Sequence, residues 1–522
     1  MTMVTRVHSA TLLGVDASLV DIEIDFAVGL PAFHLVGLPD NAIRESRLRV
    51  QAAIENLTLE FPVDRRVTVN LAPANIRKDG TAFDLPIALA ILRAQGVLPP
   101  VARAPRLGDY LVAGELALDG RLRPIRGALA MAILARDMGL KGVMIPRENA
   151  AEAAVVESVE VLGFEHLSEV VALMQARKLV EPFERQPMPA ASLRRVGDVD
   201  FSQVSGQLPA KRALEVAAAG AHNVLMIGPP GSGKSMLARR LATILPEMSF
   251  EEALETTKIY SVTGRLPPHT PWISERPFRA PHHTISEVGL VGGGSGIPRP
   301  GELSMAHNGV LFLDELPEFR RNSLETLRQP LENRQVTLTR SLLSLTYPAD
   351  VMLVAAMNPC RCGHFGNSAR RCSCSIDEIK RYRSRLSGPL LDRIDIHIEV
   401  PAVPYEELRR AQPSEPSVAI RQRVQRARDR QRERLQSCGR HANSQMGPDQ
   451  LRRHCALTDD CHEMLARVVD RLGLSARSCD RMLKVARTIA DLDEAPSITQ
   501  AHLAEAIHYR SLDRPLDAQL AS

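Results

Sequence analysis

No apolar stretch of the chain reaches the roughly 18 to 20 residues that a membrane-crossing helix needs. The opening residues, MTMVTRVHSATLLGVDAS, also lack the apolar core and small-residue cleavage site of a secretory leader. The expectation is therefore a cytoplasmic protein with no membrane partner. There its eight Cys are expected as thiols, metal ligands or small buried hydrophobes, and disulfides are set aside. A net charge of only +4 excludes an overall cationic field. Short internal repeats and low-complexity tracts are missing too. Aromatic residues make up 4% of the chain, with a single Trp; the remainder, 44% hydrophobic and 24% charged, is ordinary for a globular protein.

At 522 residues the chain exceeds one core, and usual domain sizes predict about three domains. Residues 1–180 alternate β-rich runs, such as LVDIEIDFAV and RVTVNLA, with alanine-rich helical stretches. A proline-rich segment without periodicity, 181–198, reads as a linker. From 199 to 400 strands and helices alternate, which predicts a parallel α/β sheet. A second proline-dense break covers 401–417, and 418–522 reads as helical. The fold class expected is thus multidomain α/β. Within the helical end, RQRVQRARDRQRER from Arg421 to Arg434 sets seven arginines against two acids. The wet face of a helix is its ordinary reading, and contact with a polyanion is the other, because i,i+4 carboxylate partners are so few.

NVLMIGPPGSGKSMLARRLATIL carries the strongest signal. A buried strand precedes Gly228, Pro229, Pro230, Gly231, Ser232, Gly233, Lys234 and Ser235, which match G-x-x-x-x-G-K-S, and a helix follows. Such glycines let backbone N–H groups close around phosphates at a helix N-terminus. Lys234 is expected on the β and γ phosphates of a nucleotide and the Ser235 hydroxyl on Mg²⁺. In GVLFLDELPEF an apolar strand delivers Asp314, expected to hold Mg²⁺ through water, and Glu315, expected to polarise the attacking water. A third strand, DVMLVAAMNP, ends at Asn358, whose amide is placed to orient that water.

CRCGHFGNSARRCSC brings Cys360, Cys362, Cys372 and Cys374 as two C-x-C pairs. Four thiolates suit tetrahedral Zn²⁺ in a structural role, with His364 as a substitute ligand; reduced thiols without metal are the alternative. Cys438, Cys455, Cys461 and Cys479 lack paired spacing.

GPPGSGKS, GVLFLDE, AAMNP and SGPLLDRIDIHIEV together resemble the AAA+ ATPases, in the branch containing the magnesium chelatase ATPase subunit. FRAPHHTIS, RPGELSMAHNGVLFLDE and VARTIADL look like signatures of its magnesium-chelatase-like, ComM/YifB-type members, and the similarity spans nearly the whole chain. The resemblance implies ATP and Mg²⁺ as cofactors and a homo-hexameric ring with ATP between subunits. It implies that Arg393 is a finger on the neighbour's γ-phosphate and Arg477 a lid arginine on the same phosphate, with ion pairs to Asp392, Asp395 or Asp480 as the alternative. Period-two alternation over 334–349 predicts a hairpin turning near Arg340 to Leu343; by the resemblance it and the glycine-rich segment 286–302 are insertions that face the ring's channel, where Arg334 or Arg340 would meet phosphates, with ordinary connecting structure as the alternative.

The N-terminal block resembles the proteolytic domain of Lon-type proteases, a ribosomal S5 domain 2-like α+β fold. KDGTAFD corresponds to the nucleophile loop, yet Ala82 stands at the hydroxyl position with only Thr81 beside it. The region of the catalytic amine, Gly127 to Met131, contains no lysine. Ser–Lys catalysis needs both groups, so a scaffold without peptidase activity is expected. For the whole chain the resemblance implies an ATP-driven DNA helicase acting on single-stranded and branched DNA. Such a motor promotes branch migration during natural transformation, with recombination proteins as further partners. A magnesium chelatase subunit and a protein unfoldase remain open as alternatives.

Overall fold

Period-two burial builds the N-terminal sheet. In the computed structural model, which describes residues 5–186, 199–267, 270–294, 297–340, 343–366, 370–403, 409 and 414–510, the strand Arg66–Ala72 buries Val67, Val69 and Leu71 but not the residues between them. Seven strands run in the order Ala32–Val36, Arg66–Ala72, Asp16–Ala27, Thr5–Leu13, Tyr110–Val112, Gly142–Pro146 and Glu160–Phe164. The pairings on either side of Asp16–Ala27 are antiparallel and the others parallel. The helix Asp84–Ala94 is buried from Asp84 through Leu92 and packs on this sheet. An apolar helix of this kind is stable only inside a core.

The central block holds five short, wholly parallel strands: Phe278–Arg279, Val310–Leu313, Met352–Met357, Val224–Ile227 and Ile396–Glu399, in that spatial order. Every residue of Val224–Ile227, Val310–Leu313 and Met352–Met357 is buried, as a sheet covered on both faces requires. Alternate residues point into different cores. Val224, Met226, Phe312 and Val354 meet the helices Leu208–Gly220, Lys234–Ile244, Ser417–Leu435 and Ala476–Leu492. Leu225, Ile227, Leu311, Leu353 and Met357 meet Leu303, Phe319 and Leu390 on the other face.

C-terminal residues form the helices Ser417–Leu435, Pro448–His454, Asp459–Leu472, Ala476–Leu492 and Gln500–His508. Residues 187–198 of the first expected linker, and 404–408 and 410–413 of the second, lie outside the described residues. The helical part starts at Ser417 itself, whose N–H donates to the Asp200 carboxylate and whose Oγ accepts the Phe201 N–H at 2.9 Å. The N-terminal and central blocks share apolar packing: Ala253 of the helix Phe250–Thr263 and Trp272 join Ala128, Met131 and Ala132. Among the described residues no helix is long and apolar enough to cross a membrane.

The arginine run answers neither expectation. Arg428 is buried and donates to the carbonyls of Ala219 (3.1 Å) and Ala218 (3.0 Å). Arg423 pairs with Glu215 (2.6 Å), Arg432 with Glu252 (3.0 Å), Arg434 with Asp491 and Arg430 with Glu494 (3.0 Å). Arg421 lies 3.5 Å from Glu247, and Arg426 lies 3.9 Å from Glu494. Arg421, Arg423, Arg428 and Arg432 thus tie the C-terminal helices, the lid, to the central block, while Arg426, Arg430 and Arg434 brace those helices internally, so the run is neither a bare solvated face nor a free cationic stripe.

Candidate active site

Strand order brings three motifs to one edge. Met352–Met357 lies between Val224–Ile227 and Val310–Leu313, so Gly228, Asp314 and Asn358 all leave the sheet at neighbouring C-terminal ends. Gly228 donates its N–H to the Met357 carbonyl at 3.2 Å, and a Cβ there would stand 2.1 Å from the Val400 oxygen. Gly231 and Gly233 have φ of +77° and +91°, which side chains disfavour. Gly233 caps the helix Lys234–Ile244 without a side-chain hydrogen bond, so no side-chain cap occupies the helix's positive end.

Lys234 is buried, and its Nζ donates to the carbonyls of Gly228 (2.7 Å) and Pro229 (2.9 Å) and to Asn358 Oδ1 (3.3 Å). Burial holds this ammonium below the ordinary lysine value, while Asp314 and Glu315 pull it back up. The Ser235 hydroxyl donates to Asp314 Oδ2. Hard oxygens at this point, beside an uncapped helix end, fit a magnesium-bound polyphosphate. Glu315 sits in the left-handed region at φ +52°, its N–H donating to Asp314 Oδ1 at 2.9 Å and its carboxylate exposed.

His283 is a neighbour that sequence reasoning missed. Its Nδ1 lies 3.4 Å from Glu315 Oε2, and its ring packs, tilted, against His282 with centroids 4.1 Å apart. The two histidines fall within the FRAPHHTIS signature, but their spacing assigns them no role, since only the pairing of Phe278–Arg279 with Val310–Leu313 brings the following turn to Glu315.

Neither arginine reaches this edge. Asn223, at the start of the strand Val224–Ile227, accepts from the N–H groups of Asp395 and Ile396, and its amide donates to the Arg393 carbonyl at 2.8 Å. Four strand residues, roughly 13 Å, separate that edge from the P-loop. Arg393 is folded down there, pairing with Glu332 and donating to Pro389 O at 2.7 Å. Arg477 lines a cleft of about 570 Å³ on the same edge, together with Glu332 and Asp395. Arg481, one turn along the helix, holds Asp395 at 2.7 Å.

The expected hairpin is present, Gln335–Arg340 pairing antiparallel with Leu343–Pro348 in the register Arg340 to Leu343; residues 341–342 of the turn lie outside the described residues. Arg340 is exposed at the end of its strand. Arg334 departs from the expectation: it lines the cleft at the hairpin's foot, 3.5 Å from Asp350 and 3.4 Å from the Ser444 carbonyl, where burial lowers its pKa. The glycine-rich stretch is more ordered than its composition predicts, with a Ser286-capped helix Glu287–Val291 and a Gly292–Gly293 pairing to Arg299–Pro300; 295–296 are not among the described residues.

The four thiols of the two C-x-C pairs converge. Cys360 Sγ lies 3.3 Å from Cys362 and 3.7 Å from Cys372, with 3.5 Å between Cys362 and Cys372, and Cys374 completes a group within 4.8 Å. This set can hold a metal ion such as Zn²⁺, and His364 stays outside it.

In the N-terminal block Thr81 donates its hydroxyl to Glu115, and buried Lys78 donates to the Pro73 carbonyl. Ala82 packs against apolar residues, its carbonyl accepting from Gly114 at 2.8 Å. No hydroxyl–amine pair is assembled at this loop among the described residues.

Sequence comparison bears on this geometry directly. Residues 200–408 match the magnesium chelatase, subunit ChlI family, 22–149 the family described as subunit ChlI of Mg-chelatase, and 414–510 the ChlI C-terminal family. Protein YifB of Escherichia coli (strain K12) is 43% identical over 511 residues, covering 98% of this chain and 97% of that protein. Competence protein ComM of Haemophilus influenzae is 44% identical over 513 residues, covering 98% of each. The chain belongs to the magnesium-chelatase-like proteins of the ComM/YifB type. Lon protease 2 of Bacillus subtilis is 29% identical over 178 residues, 33% of this chain and 30% of the protease. As an AAA+ family, the magnesium-chelatase-like proteins imply ATP and Mg²⁺, which agrees with the uncapped helix end and the Ser235–Asp314 contact.

Proposed function

We propose that this ComM/YifB-type chain is an ATP-driven motor, working as a homo-hexameric ring on single-stranded and branched DNA and promoting branch migration during natural transformation. One observation carries the reading: Arg393 and Arg477 stand at the edge of the sheet opposite to the one where Lys234, Asp314, Glu315 and Asn358 gather. Stacking one copy's arginine edge on the next copy's P-loop edge completes the site at every seam. The competence name of a relative 44% identical over 98% of the chain supports the choice of DNA.

In this reading the N–H groups at the start of Lys234–Ile244 bind the phosphates, and Lys234 exchanges its two carbonyl contacts for phosphate oxygens. Ser235 and Asp314 hold Mg²⁺, which neutralises phosphate charge. Glu315 accepts the proton of the attacking water, Asn358 orients that water, and the neighbour's Arg393 and Arg477 meet the charge that develops on the γ-phosphate. Arg340, exposed on the hairpin, is the remaining DNA-contact residue; Arg334, spent on Asp350, is better placed to steady the hairpin's foot. The N-terminal block is a protease-like scaffold without peptidase chemistry.

Measuring ATP turnover with forked DNA, single-stranded DNA and casein, alongside strand displacement, tests the reading. Stimulation by DNA and unwinding of the fork are expected, weakening steeply with salt because backbone phosphates dominate the contact. Stimulation by casein alone would establish the unfoldase alternative instead.

A further inference from the structure

The cysteine cluster lies beside the catalytic edge, and its geometry is unusually specific. Sulfur separations of 3.3, 3.5 and 3.7 Å far exceed the ~2.05 Å of a disulfide. They approach the edge of a tetrahedron built on a zinc–sulfur bond of ~2.3 Å, which is about 3.8 Å. Four sulfurs within 4.8 Å of one another have room for a single ion and none for an iron–sulfur cluster. Four thiolates this close repel one another unless a cation sits between them. Backbone N–H groups already serve the sulfurs: Phe365 donates to Cys360 at 3.3 Å and Cys374 to Cys372 at 3.4 Å. Such contacts orient metal-bound thiolates.

The cluster also touches the nucleotide loop. Cys360 is fully buried and lies two residues beyond Asn358, whose side chain accepts from Lys234. Between the first two cysteines and the rest of the loop, Gly363 at φ +81° is pressed against the P-loop: a Cβ there would lie 2.5 Å from Cδ of Pro230. Arg383, on the helix Ile376–Arg383 just after Cys374, donates to the Pro359 carbonyl at 3.3 Å and stacks over Phe365 at 5.4 Å. A cross-link among the four sulfurs therefore braces the segment carrying Asn358 from behind and sets its distance from Pro230.

We propose that Cys360, Cys362, Cys372 and Cys374 bind one Zn²⁺ in a closed tetrahedral site that clamps the Asn358 loop against the P-loop and thereby supports ATP turnover. Four protein ligands leave no open position, so the ion is structural. The second half of the proposal rests on the ATPase reading; the first half does not.

The full-length chain, purified without chelator, is expected to carry one zinc per chain by elemental mass spectrometry. After stripping with a chelator and a thiol-reactive mercurial, then restoring the thiols, added Co²⁺ should give sulfur-to-cobalt charge-transfer bands and the visible bands of a tetrahedral site. Cys362→Ser and Cys374→Ser should each lose stoichiometric zinc and lower ATP turnover about tenfold. Gly363→Ala should keep its zinc yet lose turnover, because it displaces Pro230. Iron, native disulfides, or failure of the reduced chain to take up zinc or cobalt would overturn the metal site. Zinc-free chain turning over at the full rate would overturn the clamp. A zinc-loaded wild type with no ATP hydrolysis at all would instead fault the ATPase reading while leaving the metal site standing.

Discussion

The side chains of the phosphate edge are bound to one another in ways that make single substitutions informative. Lys234 is buried among the carbonyls of Gly228 and Pro229 and the Asn358 amide, so its removal takes away the cation that phosphate would otherwise draw over. Lys234→Ala is expected to weaken nucleotide binding by tenfold or more, about 1.4 kcal/mol, in a fluorescent-nucleotide titration; unchanged affinity would contradict the cradle. Glu315 differs, being exposed and anchored only through its backbone and His283. Glu315→Gln should therefore retain binding while single-turnover hydrolysis falls on the order of 10²- to 10⁴-fold, the usual contribution of a general base. At this scale much was legible, because glycine, lysine and serine in fixed spacing have few other uses. His283 was not, since it follows the strand Phe278–Arg279, which only the sheet sets beside Val310–Leu313, and the pairing of Arg334 was not, because its partner Asp350 lies across the whole hairpin.

At the scale of elements, the lid and the central block are joined by charge as well as by apolar packing. Glu252, in the first turn of Phe250–Thr263, accepts from Arg276 (2.9 Å), Arg432 (3.0 Å) and the Ser249 N–H (2.7 Å). Burial alone would raise its pKa, but Arg276 and the Ser249 N–H, with Arg428 and Arg432, outweigh it and hold the value at about 2 against an ordinary 4.5. A depressed carboxyl stabilises the fold above the unfolded value and loses that contribution as pH falls from about 4.5 to about 2. The difference corresponds to a stabilisation on the order of 3 kcal/mol at neutral pH. Glu252→Gln should lower the urea midpoint clearly at about pH 7 and progressively less below about pH 4. Equal destabilisation at both ends would contradict the linkage. The strands were readable from apolar runs and period-two alternation. The true use of the arginine helix was hidden, because Glu215, Glu252 and Asp491 lie far from it in sequence and no i,i+4 pattern reports them.

For the whole molecule, the active site is, in the proposed reading, divided between two edges of one sheet. Lys234, Asp314, Glu315 and Asn358 gather at one, while Arg393 is held by Glu332 and Arg477 lines a cleft at the other. A chain that kept a complete site within itself would need no neighbour, whereas under the proposed reading hydrolysis is a property of the seam. The cleft and the place of Arg393 could be located only once the sheet order was known, since Arg393 and the P-loop are separated by their edges and not by any feature of spacing. Mixing Arg393→Ala chains with Lys234→Ala chains and measuring ATP turnover against composition tests the division directly. Each variant alone should be inactive, and mixtures should recover turnover where an intact P-loop meets a neighbour's intact Arg393. Mixed assemblies that stay as inactive as either parent would contradict it.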